Sequence, residues 1–165
     1  MNRRNITIAS LILCSVFLVS GCGKNTVSTP GGGYVSQTDD KITVTNDSGE
    51  TTVFTTDRLP EGFPSDVPVY PDATIQGSQL SDYGTNLSLQ SKKTTAEVLA
   101  WYKNELVDTS WKIASEYSMD NSTWISGSKD DGSTIIVTVG QSTEANSGYA
   151  TVVGIIRSNP QSAAE

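Results

Sequence analysis

Histidine is absent from this 165-residue chain, and cysteine occurs only twice, at Cys14 and Cys22. The first absence removes the commonest general acid/base, the usual base of a catalytic triad and the imidazole metal ligand together. The second leaves residues 23–165 without a thiol, hence without a disulfide framework, a redox pair or a nucleophilic cysteine. Zinc, copper, haem and iron–sulfur sites lose their usual ligands as well. Basic residues are scarce: 11 Lys and Arg stand against 18 Asp and Glu, a formal net charge of −7. Beyond Arg3-Arg4 the only adjacent basic pair is Lys92-Lys93. Nucleic-acid binding, which sets clustered Lys and Arg against phosphates, is excluded on that ground.

The acidic residues do not assemble into a recognisable site either. Glu97 and Glu105 are eight residues apart, about 12 Å on a helix, too far for the carboxylate pair of a retaining or an inverting glycosidase. Asp120-Asn121 and Asp130-Asp131-Gly132 lack the alternating oxygen ligands and closing Glu of a calcium loop. Asp-Gly is what a hairpin turn needs in any case. The run Gly31-Gly32-Gly33 precedes no helix and reads as linker, not as a phosphate loop. A Ser-Lys mechanism has no supporting motif. No cofactor and no catalytic residue is expected, and the chain is read as a non-enzyme.

What is present begins at the N-terminus. Arg3 and Arg4 form a basic start, residues 6–19 are mostly apolar, and Val19-Ser20-Gly21 offer small residues to a peptidase. The run is short for a bilayer span and is diluted by Thr7, Ser10 and Ser15, which favours a secretory signal over a membrane helix. Leu18-Val19-Ser20-Gly21-Cys22 resembles the lipobox of bacterial lipoproteins. The resemblance implies that residues 1–21 are removed and that Cys22 becomes a lipidated N-terminus carrying a diacylglyceryl thioether, usually with a further acyl chain such as palmitate. Two or more chains suffice for stable anchoring. The protein is then expected at the extracytoplasmic face of the cell membrane, as a lipoprotein of the cell envelope. Gly23 stands where an inner-membrane retention signal would resemble Asp, which favours the outer membrane in a cell that has one. The chain from Cys22 onward keeps 9 Lys and Arg against 18 Asp and Glu, a net −9 that repels anionic head groups.

Residues 22–40 are rich in Gly, Ser, Thr and Asp and read as a flexible tether with a reach of about 20 to 25 Å. Residues 41–58 hold two β-branched stretches around Asn46-Asp47-Ser48-Gly49-Glu50, the pattern of a hairpin. Residues 59–75 carry Pro60, Pro64, Pro68 and Pro71, which predicts an extended strap laid against the core. A Pro-rich peptide ligand at Pro68-Val69-Tyr70-Pro71 would lack flanking basic residues. Two alternating segments follow, and then Thr94 with Glu97 makes a capping box ahead of Val98, Leu99, Trp101, Tyr102 and Leu106 at helical spacing. Four β-rich runs lie beyond the helix. The two runs after Ser133 are expected to include a central strand buried on both faces, from Val152-Val153 and Ile155-Ile156.

The fold class expected is α+β, an antiparallel sheet with one covering helix in the order β-β-α-β-β-β over residues 59–158, preceded by a short hairpin and followed by a disordered tail at 159–165. The phrase LPEGFPSDVPVYPDATI, then TAEVLAWYKNEL and TSWKI, resembles a recurrent domain of uncharacterised bacterial envelope lipoproteins across residues 59–112. That resemblance implies a fold and no activity.

Trp101 and Trp111 sit where core is expected, whereas Trp124, flanked by Ser122, Thr123 and Ser126, is placed for exposure. Two binding readings follow. The first is an interaction or assembly module for an envelope protein, with a groove between helix and sheet edge near Phe63 and Tyr70. The second is a receptor for a small ligand or glycan stacking on Trp124 and Tyr117. Phe63, Tyr70, Tyr117 and Trp124 are therefore the candidate binding surface, with Cys22 as the lipidation site.

Overall fold

β-branched and polar residues alternate along most of the chain, and a backbone carrying such runs satisfies its hydrogen bonds by pairing them side by side. The computed structural model describes residues 25–30, 32–144 and 147–160. The expected signal segment, Cys22 and residues 161–165 of the expected tail lie outside them. Strands β1 (Asn25–Ser28), β2 (Tyr34–Thr38), β3 (Lys41–Thr45), β4 (Thr51–Thr55), β5 (Thr74–Ser81) and β6 (Gly84–Ser91) run as a meander. Helix α1 (Thr95–Asp108) follows, and then β7 (Lys112–Met119), β8 (Ser122–Ser128), β9 (Thr134–Gln141) and β10 (Thr151–Ser158).

All ten strands belong to one sheet in the order β1-β2-β3-β4-β5-β6-β10-β9-β8-β7, every neighbouring pair antiparallel. This corrects the expected order β-β-α-β-β-β. Four strands follow the helix, and the hairpin of β3 and β4 is part of the same sheet through the pairing of β4 with β5. The expected tether is corrected too: β1 and β2 occupy residues 25–38 and pair with one another and with β3. Their Ser, Thr and Gln composition is polar, but Val27 stands opposite Val35 and Val35 opposite Val44, and an existing hairpin edge supplies a template for pairing.

The strap is not extended. Phe63 N–H donates to the Pro60 carbonyl, Val67 to Pro64 and Ala73 to Tyr70, so Pro60 and Pro64 open two turns and Pro71 takes the second position of a third. The turns bring Val67 into the core and leave Leu59, Phe63, Val69 and Tyr70 partly buried against it.

Helix α1 starts as its capping box requires. Thr94 Oγ1 accepts from Glu97 N–H, and the Glu97 carboxylate accepts from Thr94 N–H at 3.0 Å and from its hydroxyl at 2.7 Å. The helix packs across β7 to β10 and buries Val98, Tyr102 and Leu106. Each such side chain contributes about 1.5–3 kcal/mol through the apolar surface removed from water. Facing them are Leu87 and Leu89 from β6, Ile125 from β8, Ile135, Val137 and Val139 from β9, and Val153 and Ile155 from β10. Trp111 closes the end of the core, its indole N–H donating to the Asp66 carbonyl at 2.8 Å. The Asp66 carboxylate lies 2.8 Å from Lys129 Nζ and 3.2 Å from Arg157 Nε, which pins the strap to β10 and the β8–β9 turn.

Gly84 opens β6 at φ 148°, where a Cβ would overlap the Arg157 carbonyl of β10. Only glycine lets the two strands approach there. No helix among the described residues is long and apolar enough to cross a membrane.

Candidate functional site

A sheet covered by one helix and one strap on a single side leaves the other side open, and strand alternation decides which residues it shows. Along β10 the odd-numbered residues Thr151, Val153 and Ile155 are buried, while Val152 and Ile156 are exposed at 36% and 51%. The expectation that β10 is buried on both faces is thereby corrected. It is central in the sheet, but only its helix-facing side is covered.

Register aligns the open-face residues of separate strands. Phe54 of β4 stands opposite Gln79 of β5, Gln79 opposite Asn86 of β6, Asn86 opposite Ile156 of β10, and Ile156 opposite Ile136 of β9. At about 4.8 Å between strands, the row from Phe54 to Ile136 spans about 19 Å. Phe54 and Ile136 are exposed at 38% and 42%. Below the row, Gly77 pairs with Ser88 and Ser88 with Gly154. An added Cβ on Gly154 would meet nothing within 4 Å. The missing side chains leave a shallow groove of about 540 Å³, walled by Phe54 and Ile156 and floored by Gly77, Ser88 and Gly154. Its residues carry no charge, and its volume falls within the range of small-molecule sites, roughly 300–1,000 Å³.

Toward β7 and β8 this face carries an aromatic pair. Trp124 of β8 pairs with Thr138 of β9, which pairs with Gly154. The Tyr117 and Trp124 rings lie 6.0 Å apart at 33°, a cross-strand pair between β7 and β8. Tyr117 is exposed and Trp124 half-buried.

The structure therefore brings together two of the four residues singled out in the sequence and separates them from the other two. Phe63 and Tyr70 are on the helix side. Tyr70 packs edge-on to Trp101 at 5.2 Å and lies 6.5 Å from Tyr102, inside the hydrophobic cluster. The groove expected between helix and sheet edge near these two is filled by the strap's own side chains. Phe54, Gly77, Gln79, Asn86, Gly154 and Ile156 escaped sequence reasoning because they come from four strands and meet only through register. The alternation of Val152, Gly154 and Ile156 was the one signal available.

The titratable groups that folding perturbs lie elsewhere. Burial pushes the Tyr102 hydroxyl up. Among the described residues it meets no partner of good hydrogen-bond geometry, and the Tyr70 backbone offsets only part of the burial effect. Glu50, Glu97 and Asp131 are held below the usual carboxylate range by hydrogen bonds from Tyr83, Thr94 and Ser133 respectively. Each is a turn or cap contact away from the groove. Among the described residues no group of three or more His, Cys, Asp or Glu is placed to hold a metal ion.

No curated protein and no solved structure matches the chain. Residues 74–148, less than half of the chain and covering β5 through β9, match a family model described as START domain-like.

Proposed function

We propose that the protein is a lipid-anchored, non-catalytic binding module of the cell envelope, held through Cys22 at the extracytoplasmic face of the membrane. Its ligand is a small, uncharged, apolar molecule seated on the open face of the sheet over β4, β5, β6 and β10. The observation that carries this reading is the groove at Gly77 and Gly154, apolar in its walls and free of charged side chains. Burying a charged ligand there without a partner would cost several kcal/mol, whereas an apolar one contributes about 25 cal/mol per Å² covered. The START domain-like match over residues 74–148 supports a ligand-binding role.

The test fills the groove. Gly154→Leu adds a side chain into open space and leaves the helix-side core untouched. The full chain is carried in phosphatidylcholine nanodiscs and titrated with N-phenyl-1-naphthylamine, an uncharged fluorophore that brightens on leaving water. Wild type should give a saturable signal above nanodiscs alone, and Gly154→Leu should weaken it by about tenfold, equivalent to 1.4 kcal/mol. Equal signals from the two proteins would sink the reading.

A second reading, docking of an envelope protein, is favoured by β7. This edge strand is exposed at all eight residues, with Ile113, Tyr117 and Met119 open to solvent, and edge strands can accept an extended partner. A photo-crosslinker at Tyr117 that captures one recurring protein in the native cell would support it.

A further inference from the structure

The groove has apolar walls but a polar centre. Gln79 and Asn86 are directly opposed on β5 and β6, and Asn86 Nδ2 donates to Gln79 Oε1 at 3.1 Å. Among the described residues the Gln79 Nε2 amino group and the Asn86 Oδ1 carbonyl have no protein partner, so the pair offers a donor group on one residue and an acceptor on the other. Exchanging both amide orientations leaves the same combination. Phe54 flanks the pair on the β4 side and Ile156 on the β10 side. Covering Gln79 and Asn86 with a hydrocarbon would strip water from both free groups without replacement, which is unfavourable. A ligand that buries the walls therefore needs an acceptor for Gln79 and a donor for Asn86 at its middle.

We propose that the ligand of this groove carries a secondary amide flanked by apolar groups, its carbonyl accepting from Gln79 Nε2 and its N–H donating to Asn86 Oδ1. N-acyl amines and uncharged apolar peptides have this chemistry. Esters lack the donor, and simple hydrocarbons lack both groups. The inference rests on the binding reading above and narrows its ligand class.

The test compares N-butyloctanamide with its ester analogue butyl octanoate, each displacing N-phenyl-1-naphthylamine from the full chain in the same nanodiscs. The two compounds differ in hydration and in partition into lipid, so the informative quantity is the amide-to-ester affinity ratio in wild type divided by that in Gln79→Val/Asn86→Val. Both substituted residues lie on the sheet surface, and valine suits a strand. Far-UV circular dichroism confirms that the variant is folded. The ratio should fall by about tenfold in the variant, the loss of one to two hydrogen bonds. The fluorophore itself should bind both proteins. An unchanged ratio overturns the amide assignment and leaves the binding reading standing. Failure of the fluorophore to distinguish wild type from Gly154→Leu removes the binding reading, and this inference with it.

Discussion

At the scale of single residues, the Tyr102 hydroxyl is out of keeping with its apolar surroundings. Tyr102 is fully buried among Val98, Leu106 and the β9 and β10 valines and isoleucines, yet its hydroxyl lacks a well-formed hydrogen bond. A buried polar group without a partner costs about 1–3 kcal/mol. Tyr102→Phe should therefore leave stability unchanged or raise it by up to about 1 kcal/mol, read from urea denaturation. A loss above about 1 kcal/mol would show that the hydroxyl is satisfied after all. Asp66 is the opposite case, a carboxylate with more partners than it can easily lose. It faces Lys129 and Arg157, whose side chains are 19% and 11% exposed, while Lys129 also lies 4.5 Å from the Trp111 ring centroid. Asp66→Asn strands two half-buried cations and should cost about 1–3 kcal/mol. Tyr102 was legible as part of the helix's apolar face, but Asp66 was not, because it gains its partners from positions 63 and 91 residues away.

Elements were the most legible level. Thr94 and Glu97 announced the start of α1, and Val98, Tyr102 and Leu106 announced its buried stripe, because helical signals are local and every partner lies within one or two turns. Lys129-Asp130-Asp131-Gly132 was readable for the same reason: Gly132 N–H donates to the Lys129 carbonyl at 3.1 Å. Where elements meet, legibility fell. The prolines were read as keeping the strap extended, although Pro71 suits the second position of its turn and Pro60 and Pro64 each offer a carbonyl at the first. The carboxylates at these local sites set the response to acid. Glu97 and Asp131 titrate lower when folded than their ordinary values of 4.5 and 3.8, so folding favours their ionised forms. The stability they contribute is complete above those ordinary values and is lost as pH falls through the lowered ones. The urea midpoint should accordingly drop between pH 6 and pH 3. Thr94→Ala, which removes the main cause of the Glu97 shift, should cost about 1 kcal/mol at pH 6 and narrow the drop. A midpoint that is flat across this range would contradict the assignment.

At the scale of the whole molecule, the core is not centred on the sheet. Leu87, Leu89, Val137, Val139, Val153 and Ile155 come from β6, β9 and β10, whereas all four residues of β1 are exposed. Local opening follows burial. Amide exchange should thus be slowest in β6, β9 and β10 and should quicken stepwise toward β1, and uniform protection across the ten strands would contradict this. The sheet order could not be read from the sequence. Alternation says that residues 151–158 form a strand, but not that the strand inserts beside residues 84–91, and the open-face groove exists only because it does.

The last strand among the described residues lies in the middle of the sheet, between β6 and β9. A ribosome delivers residues in the opposite order of importance: everything up to the β9 hairpin can be made while the seam at β6 stays unpaired. Two half-sheets wait on eight residues. A premature stop between Gln141 and Thr151 would leave not a shortened domain but two half-sheets, β1 to β6 and β7 to β9, tied only through α1 and each with a raw edge.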